Sequence, residues 1–176
     1  SVFMLDAILY HSVCGHTKKY ALALSERLNV PAYSLKEAKK KLSKGSSVLF
    51  MSWICEDQLV RFERLIRYQV VAAIGVGIMP KTLEYTEKIK NESFLYCPFF
   101  YLRGGIRRKK LSFFKRLSLR SIANDLSFKL LEKRIQPEEV DVLDAILHDL
   151  DYSDISDLNE FLNWYDQKSE QENWIA

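Results

Sequence analysis

The chain predicts an α/β fold in which a five-stranded parallel sheet carries helices on both faces. Short apolar runs alternate with longer amphipathic ones, the order produced when strands are joined through crossover helices. The inner runs are apolar throughout, as strands covered on both faces require. The 176 residues hold 48% hydrophobic and 28% charged side chains with only 6 Gly and 4 Pro, a composition that excludes a disordered or collagen-like chain.

Met4–Tyr10 is the first predicted strand, and Thr17–Leu28 a helix with Ala21, Leu24 and Leu28 on one face. Pro31–Ser34 is a short second strand, followed by the lysine-rich helix Leu35–Leu42. Ser47–Trp53 reads as the third strand. Gln58–Tyr68 is expected to be helical because Leu59, Phe62, Leu65 and Ile66 recur at helical spacing. Val70–Val76, rich in valine and alanine, is the fourth strand, and Pro80 stands near the start of a helix running to about Lys90. Ser93–Phe99 is the fifth strand and Arg108–Leu131 a long basic helix. Right-handed crossovers make such a sheet parallel. Val140, Leu143, Ile146, Leu147 and Leu150, then Phe161, Leu162 and Trp164, make the remaining segment amphipathic enough to fold or dock.

The net charge of +3 conceals two opposed blocks. From Pro137 to Ala176 one lysine faces twelve acids, a net charge of −11, while the preceding part carries 25 bases and 11 acids, a net charge of +14. The chain therefore divides into a basic body, 1–136, and an acidic, helical extension, 137–176, which is a candidate cover for the basic helix. The longest apolar run, Val70–Met79, is about half of the ~20 residues that cross a bilayer. No basic leader with an apolar stretch is visible at the N-terminus, so a cytoplasmic location is expected. Three cysteines without close pairing fit a reducing compartment.

The first strand ends in Tyr10-His11-Ser12-Val13-Cys14-Gly15-His16-Thr17-Lys18 and runs straight into a helix. Exposed N–H groups at a helix N-terminus attract anions, and the Ser12 and Thr17 hydroxyls add donors around a phosphate. The same residues also suit an ordinary helix cap. Here the chain resembles the flavodoxin-like family, whose flavin mononucleotide (FMN) phosphate loop reads S/T-x-T-G-x-T. Ser12, Gly15 and Thr17 match, and Cys14 replaces the middle threonine. The resemblance implies a sheet ordered 2-1-3-4-5, with FMN at the edge where strands one and three adjoin.

It also implies that Ser12, Gly15, His16 and Thr17 hold the phosphate, with Val13 and Cys14 in the same cofactor-binding loop, and that Ser52, Trp53 and Ile54 form the second loop, with Trp53 flanking the ring. Glu56 and Asp57 depart from the small residues of that family's second loop. The segment Tyr96 to Ile106, with Phe100, Tyr101, Arg103 and Gly104, and the basic helix after it look like a subgroup that includes the bacterial menaquinone-linked protoporphyrinogen oxidase. That places those four residues beside the flavin as well. The long insertion of that oxidase is compressed here to a few glycine and arginine residues.

Cys14, Cys55 and Cys97 each fall at or just past a predicted strand end, and either share the crevice as redox-sensitive thiols or pack as small apolar residues. His11 and His16 lack a third ligand for a metal. Arg103, Arg107, Arg108, Lys109, Lys110, Lys115, Arg116 and Arg120 cluster with Leu111, Phe113, Phe114 and Leu117. That pattern suits a solvated helix face, or peripheral contact of Arg107 to Arg120 with an anionic membrane, here the inner membrane face. Nucleic acid is the partner least expected. The reading is a flavoprotein, carrier or oxidoreductase, that exchanges electrons with a partner protein or quinone. The alternative is an interaction module of the same fold that has lost FMN.

Overall fold

The computed structural model describes residues 4–175. Five parallel strands form the sheet: β1 (Ala7–His11), β2 (Ala32–Ser34), β3 (Ser47–Cys55), β5 (Gln69–Gly77) and β6 (Phe99–Arg103), in the order β2-β1-β3-β5-β6. A two-residue strand β4 (Gln58–Leu59) pairs antiparallel with the end of β3. With β4 set aside, this is the order 2-1-3-4-5, and the fold is flavodoxin-like.

Side-chain alternation along the strands builds two apolar layers. On one face Ile8, Tyr10, Leu49, Met51, Ile74 and Phe100 meet Tyr20, Ala21 and Leu24 of helix α1 (His16–Leu28). On the other, Leu9, Val48, Phe50, Val70 and Ala73 meet Ala38 of α2 (Leu35–Lys41) and the tight turn at Phe62–Leu65. Helix α3 (Leu83–Glu92) joins this second side through Tyr85, which stands edge-on to Tyr101 at 5.4 Å.

Local chemistry fixes the helix ends. A reciprocal Ser34–Glu37 capping box opens α2, and Thr82 caps α3 by accepting from the Tyr85 N–H. Ser112 caps α4 (Phe113–Leu131), and Pro137 sits in the first turn of α5 (Pro137–His148). Helix α6 (Asn159–Ile175) closes the described chain.

The predicted helix at Gln58–Tyr68 is absent. Glu56 and Asp57 both take positive φ, 51° and 62°, and form the two-residue reversal that folds β3 back onto β4. Arg61, at φ 70°, then breaks any helical run. The spacing of Leu59, Phe62 and Leu65 is met instead by a three-residue period, which buries all three and leaves Ile66 95% exposed.

The last strand is also displaced from the predicted Ser93–Phe99. It begins at Phe99, one residue after Pro98, which lacks a donor and contributes only its carbonyl, accepting from Ala73 N–H. Two helix starts shift inward as well, to Leu83 behind Thr82 and to Phe113 behind Ser112, with a tight turn at Arg108–Lys110.

The layer beside α1 is completed from the acidic segment. Leu158 and Phe161 are buried there, and Phe161 and Trp164 pack on Phe100 at 5.4 and 5.5 Å between ring centres. The long basic helix α4 instead pairs with α5 around Ala123, Leu126, Leu143 and Ile146, a third small core near the strand ends. Among the described residues no helix is long and apolar enough to cross a membrane.

Candidate functional site

The carboxyl ends of β1, β3 and β5 open into a crevice of about 330 Å³, the position where ligands bind in open α/β sheets. The β1–α1 loop supplies Ser12, Val13, Cys14, His16 and Thr17, the β3 end supplies Trp53, Ile54 and Cys55, and the β5 end supplies Val76 to Ile78. The facing wall comes from Leu111, just before α4, and from the α4–α5 pair, with Lys115, Leu119, Ile122, Val142 and Ile146.

The loop turns tightly into α1. Ser12 Oγ accepts from the Gly15 N–H at 3.1 Å, tightening the turn, and Gly15 takes φ 97° immediately before α1. No side chain caps α1, so its first N–H groups point out of the helix end with the positive pole behind them. A guanidinium nitrogen of Arg107 lies 3.8 Å from where a Cβ on Gly15 would stand. Arg107 is held there by its own backbone, whose N–H donates to Cys14 Sγ at 3.4 Å.

His16 is buried beneath this loop, 5% exposed, and among the described residues its Nε2 has no hydrogen-bond partner. The nearest acid, Asp151 Oδ1, is 3.6 Å away. Burial holds the His16 pKa below its ordinary value, and Arg107 and Lys19 push it the same way against Asp151. In the same crevice the Trp53 Nε1 is also buried without a partner among the described residues. Lys115 Nζ stands 5.2 Å from the Trp53 ring centre and 3.1 Å from Cys55 Sγ. Asp57 is drawn aside by Lys88 at 3.0 Å.

The sequence-derived residues divide into two sets. Ser12, Val13, Cys14, His16, Thr17, Trp53 and Ile54 line the crevice, with Gly15 at its rim beneath Arg107. Ser52, Phe100, Tyr101, Arg103 and Gly104 do not. Ser52 is fully buried in β3. Because β6 starts late, Phe100 and Tyr101 are strand residues: Phe100 enters the core, and Tyr101 donates its hydroxyl to the Met79 carbonyl at 2.6 Å.

Arg103 is a clamp. It donates to the Ile78 carbonyl at 2.8 Å, pairs with Asp141 at 3.2 Å and stacks on Tyr152 at 4.0 Å. Gly104 and Gly105 permit close packing: a Cβ on Gly104 would lie 2.6 Å from Val76, and one on Gly105 only 2.3 Å from the Leu150 carbonyl oxygen. The Gly104 carbonyl accepts from Tyr152 N–H, and Ile106 N–H donates to Leu150. The two glycines thus bolt the β6 loop to the acidic segment.

The cysteines separate likewise. Cys14 and Cys55 border the crevice, whereas Cys97 precedes β6 and so lies at the opposite end of the sheet. All three are free thiols. Burial raises the Cys14 pKa and outweighs Arg107, and it pushes Cys97 up to about 11, so neither is an activated thiolate. Among the described residues no cluster of side chains suits a metal.

Arg107 beside the loop, Val76 to Ile78 at the β5 end and the α4–α5 wall were not assigned to the site from sequence. Arg107 stood in the basic run without a mark of its own. Leu119, Ile122, Val142 and Ile146 showed helical spacing but no sign of which face meets the crevice. In comparisons with family models, with curated proteins and with solved structures, this chain finds no match.

Proposed function

We propose that the crevice binds FMN noncovalently and that the chain is a flavodoxin-like electron-transfer protein. The observation that carries this reading is the anion cradle, with the uncapped α1 end, Gly15 and Arg107 adjoining Ser12, Cys14, His16 and Thr17, which line the same crevice as Trp53. A phosphate dianion suits three elements at once: oriented backbone donors, a guanidinium and the positive end of a helix. The donor set therefore fits the phosphate of FMN. The buried Trp53 Nε1 and the apolar wall suit a planar heteroaromatic ring with acceptors at its edge.

Bound flavin would supply the redox chemistry. The protein's own residues position it. Ser12 holds the loop, Arg107 and the α1 end neutralise the phosphate, Trp53 flanks the ring, and Leu111, Leu119 and Ile122 exclude water. Lys115 would hold a positive charge beside Trp53 at the ring end of the crevice. No side chain is assigned as acid or base. The likeness of the β6 loop and basic helix to the menaquinone-linked oxidase subgroup favours a quinone or a partner protein as the electron exchanger, with carrier and oxidoreductase both served by this site.

A specific observation favours the second reading, an interaction module without FMN: the Glu56–Asp57 turn borders the crevice where the family has small residues. Titration of the flavin-free chain with FMN separates the two. Saturable quenching of flavin fluorescence, weakened about 10- to 100-fold in Arg107→Ala by loss of a charged hydrogen bond, is expected for the first. An unquenched titration of the folded wild type leaves the second.

A further inference from the structure

Helix α4 turns an apolar face to solvent. Phe113, Leu117, Phe128 and Leu131 fall on one side of the helix at intervals of 4, 11 and 3 residues, opposite the Leu119, Ala123 and Leu126 side that meets α5. They are 61%, 43%, 65% and 79% exposed, and Phe114 beside them is 79% exposed. Single exposed apolar side chains are ordinary, but five large ones on one helix are not.

Arg116 and Arg120 border this stripe along one edge, and Lys109 and Lys110 precede it. Among the described residues none of these four bases has a carboxylate partner. The acids of the following segment that approach are already engaged: Asp149 with Arg108, Glu139 with Lys129 and Asp141 with Arg103. The one acid on α4 itself is Asp125, on the far edge of the stripe. The acidic extension therefore leaves the stripe and its bases open.

We propose that this face of α4 docks on the surface of an anionic bilayer, with the phenylalanines entering the headgroup boundary and the arginines and lysines meeting lipid phosphates. The pattern of a basic edge beside exposed aromatic and aliphatic side chains is that of an interfacial helix. Charge decides against a second copy as the occupant, because two such faces brought together would oppose like-charged clusters. The proposal is independent of the flavin reading, although α4 is also a wall of the crevice, so docking brings that site to the membrane surface.

The test is sedimentation of the full chain with vesicles of phosphatidylcholine, with and without a one-third share of phosphatidylserine, at low and high salt. Binding that needs phosphatidylserine and weakens with salt is expected. Each base contributes roughly fivefold near an anionic surface, so Arg116→Glu with Arg120→Glu should cost at least roughly 25-fold. Phe113→Ser with Phe114→Ser should also lose binding while circular dichroism stays unchanged. All four positions are exposed, so the two variants probe charge and insertion separately in folded protein. The proposal is overturned if the wild type ignores phosphatidylserine vesicles or if both double variants bind as it does. It is equally overturned if the wild type is a dimer that the phenylalanine variant dissociates, which would give the face to a second copy.

Discussion

Replacing Phe161 with alanine tests whether the acidic segment is part of the folded body. Phe161 is 1% exposed and its ring contacts Phe100, Trp164 and Tyr165 at 5.4, 5.8 and 6.0 Å between centres. Truncation removes most of a buried aromatic and leaves a cavity whose walls belong to β6 and α6, two elements that cannot close independently. Such substitutions cost about 3–5 kcal/mol. With a urea dependence of about 2 kcal/mol per molar, the unfolding midpoint should fall by roughly 1.5–2.5 M in one cooperative transition. A shift below roughly 0.25 M, or a separate early transition for the segment, would show that α6 is an appendage and refute this packing. For the same reason, deletion of Pro137 to Ala176 removes a layer of the fold and cannot report on the basic helix alone.

Three further outcomes follow from particular contacts. Gly105→Ala places a methyl against the Leu150 carbonyl and should destabilise by about 1–3 kcal/mol, read as a lowered urea midpoint. Burial lowers the folded-state pKa of His16 below its ordinary 6.5, so its contribution is fully present above that value and is lost as pH falls through 6.5 toward the folded-state pKa. Wild type should therefore lose more stability than His16→Gln on acidification across that window, and equal losses would remove His16 from the account. Cys97, with its pKa pushed up to about 11, should be nearly inert to a thiolate-selective disulfide reagent near neutral pH, so Cys97→Ser should leave the initial rate of native thiol modification unchanged.

The sheet was legible because its strands are buried on both faces and its helices carry periodic apolar stripes. Val70 to Met79 can be little else than an inner strand. The failures have physical causes. Leu59, Phe62 and Leu65 satisfy a period of three as well as one of 3.6, and nothing in Glu56 or Arg61 announces left-handed backbone, which glycine or asparagine would have done. The run from Leu95 to Leu102 is apolar across both the loop and the strand, and only Pro98 marks where pairing begins.

At the site, the β1–α1 loop was readable because its chemistry is contiguous in sequence. Gly104, expected beside the ring, packs against Val76, and Gly105 next to it packs against Leu150 and Asp151 while also lining the crevice. Arg107 was invisible as a neighbour of this loop because it reaches Gly15 across more than ninety residues, a proximity fixed by the parallel order of β1, β3, β5 and β6.

In the proposed function the α1 end, Gly15 and Arg107 make a phosphate cradle for FMN. Isothermal titration of the flavin-free wild type and of Gly15→Asp, which sets a carboxylate in the cradle, measures it directly. The account expects one equivalent of FMN bound by the wild type and none by the variant, with riboflavin, which lacks the phosphate, bound far more weakly. Equal affinity for FMN and riboflavin, or no heat of binding from a folded wild type, would contradict it.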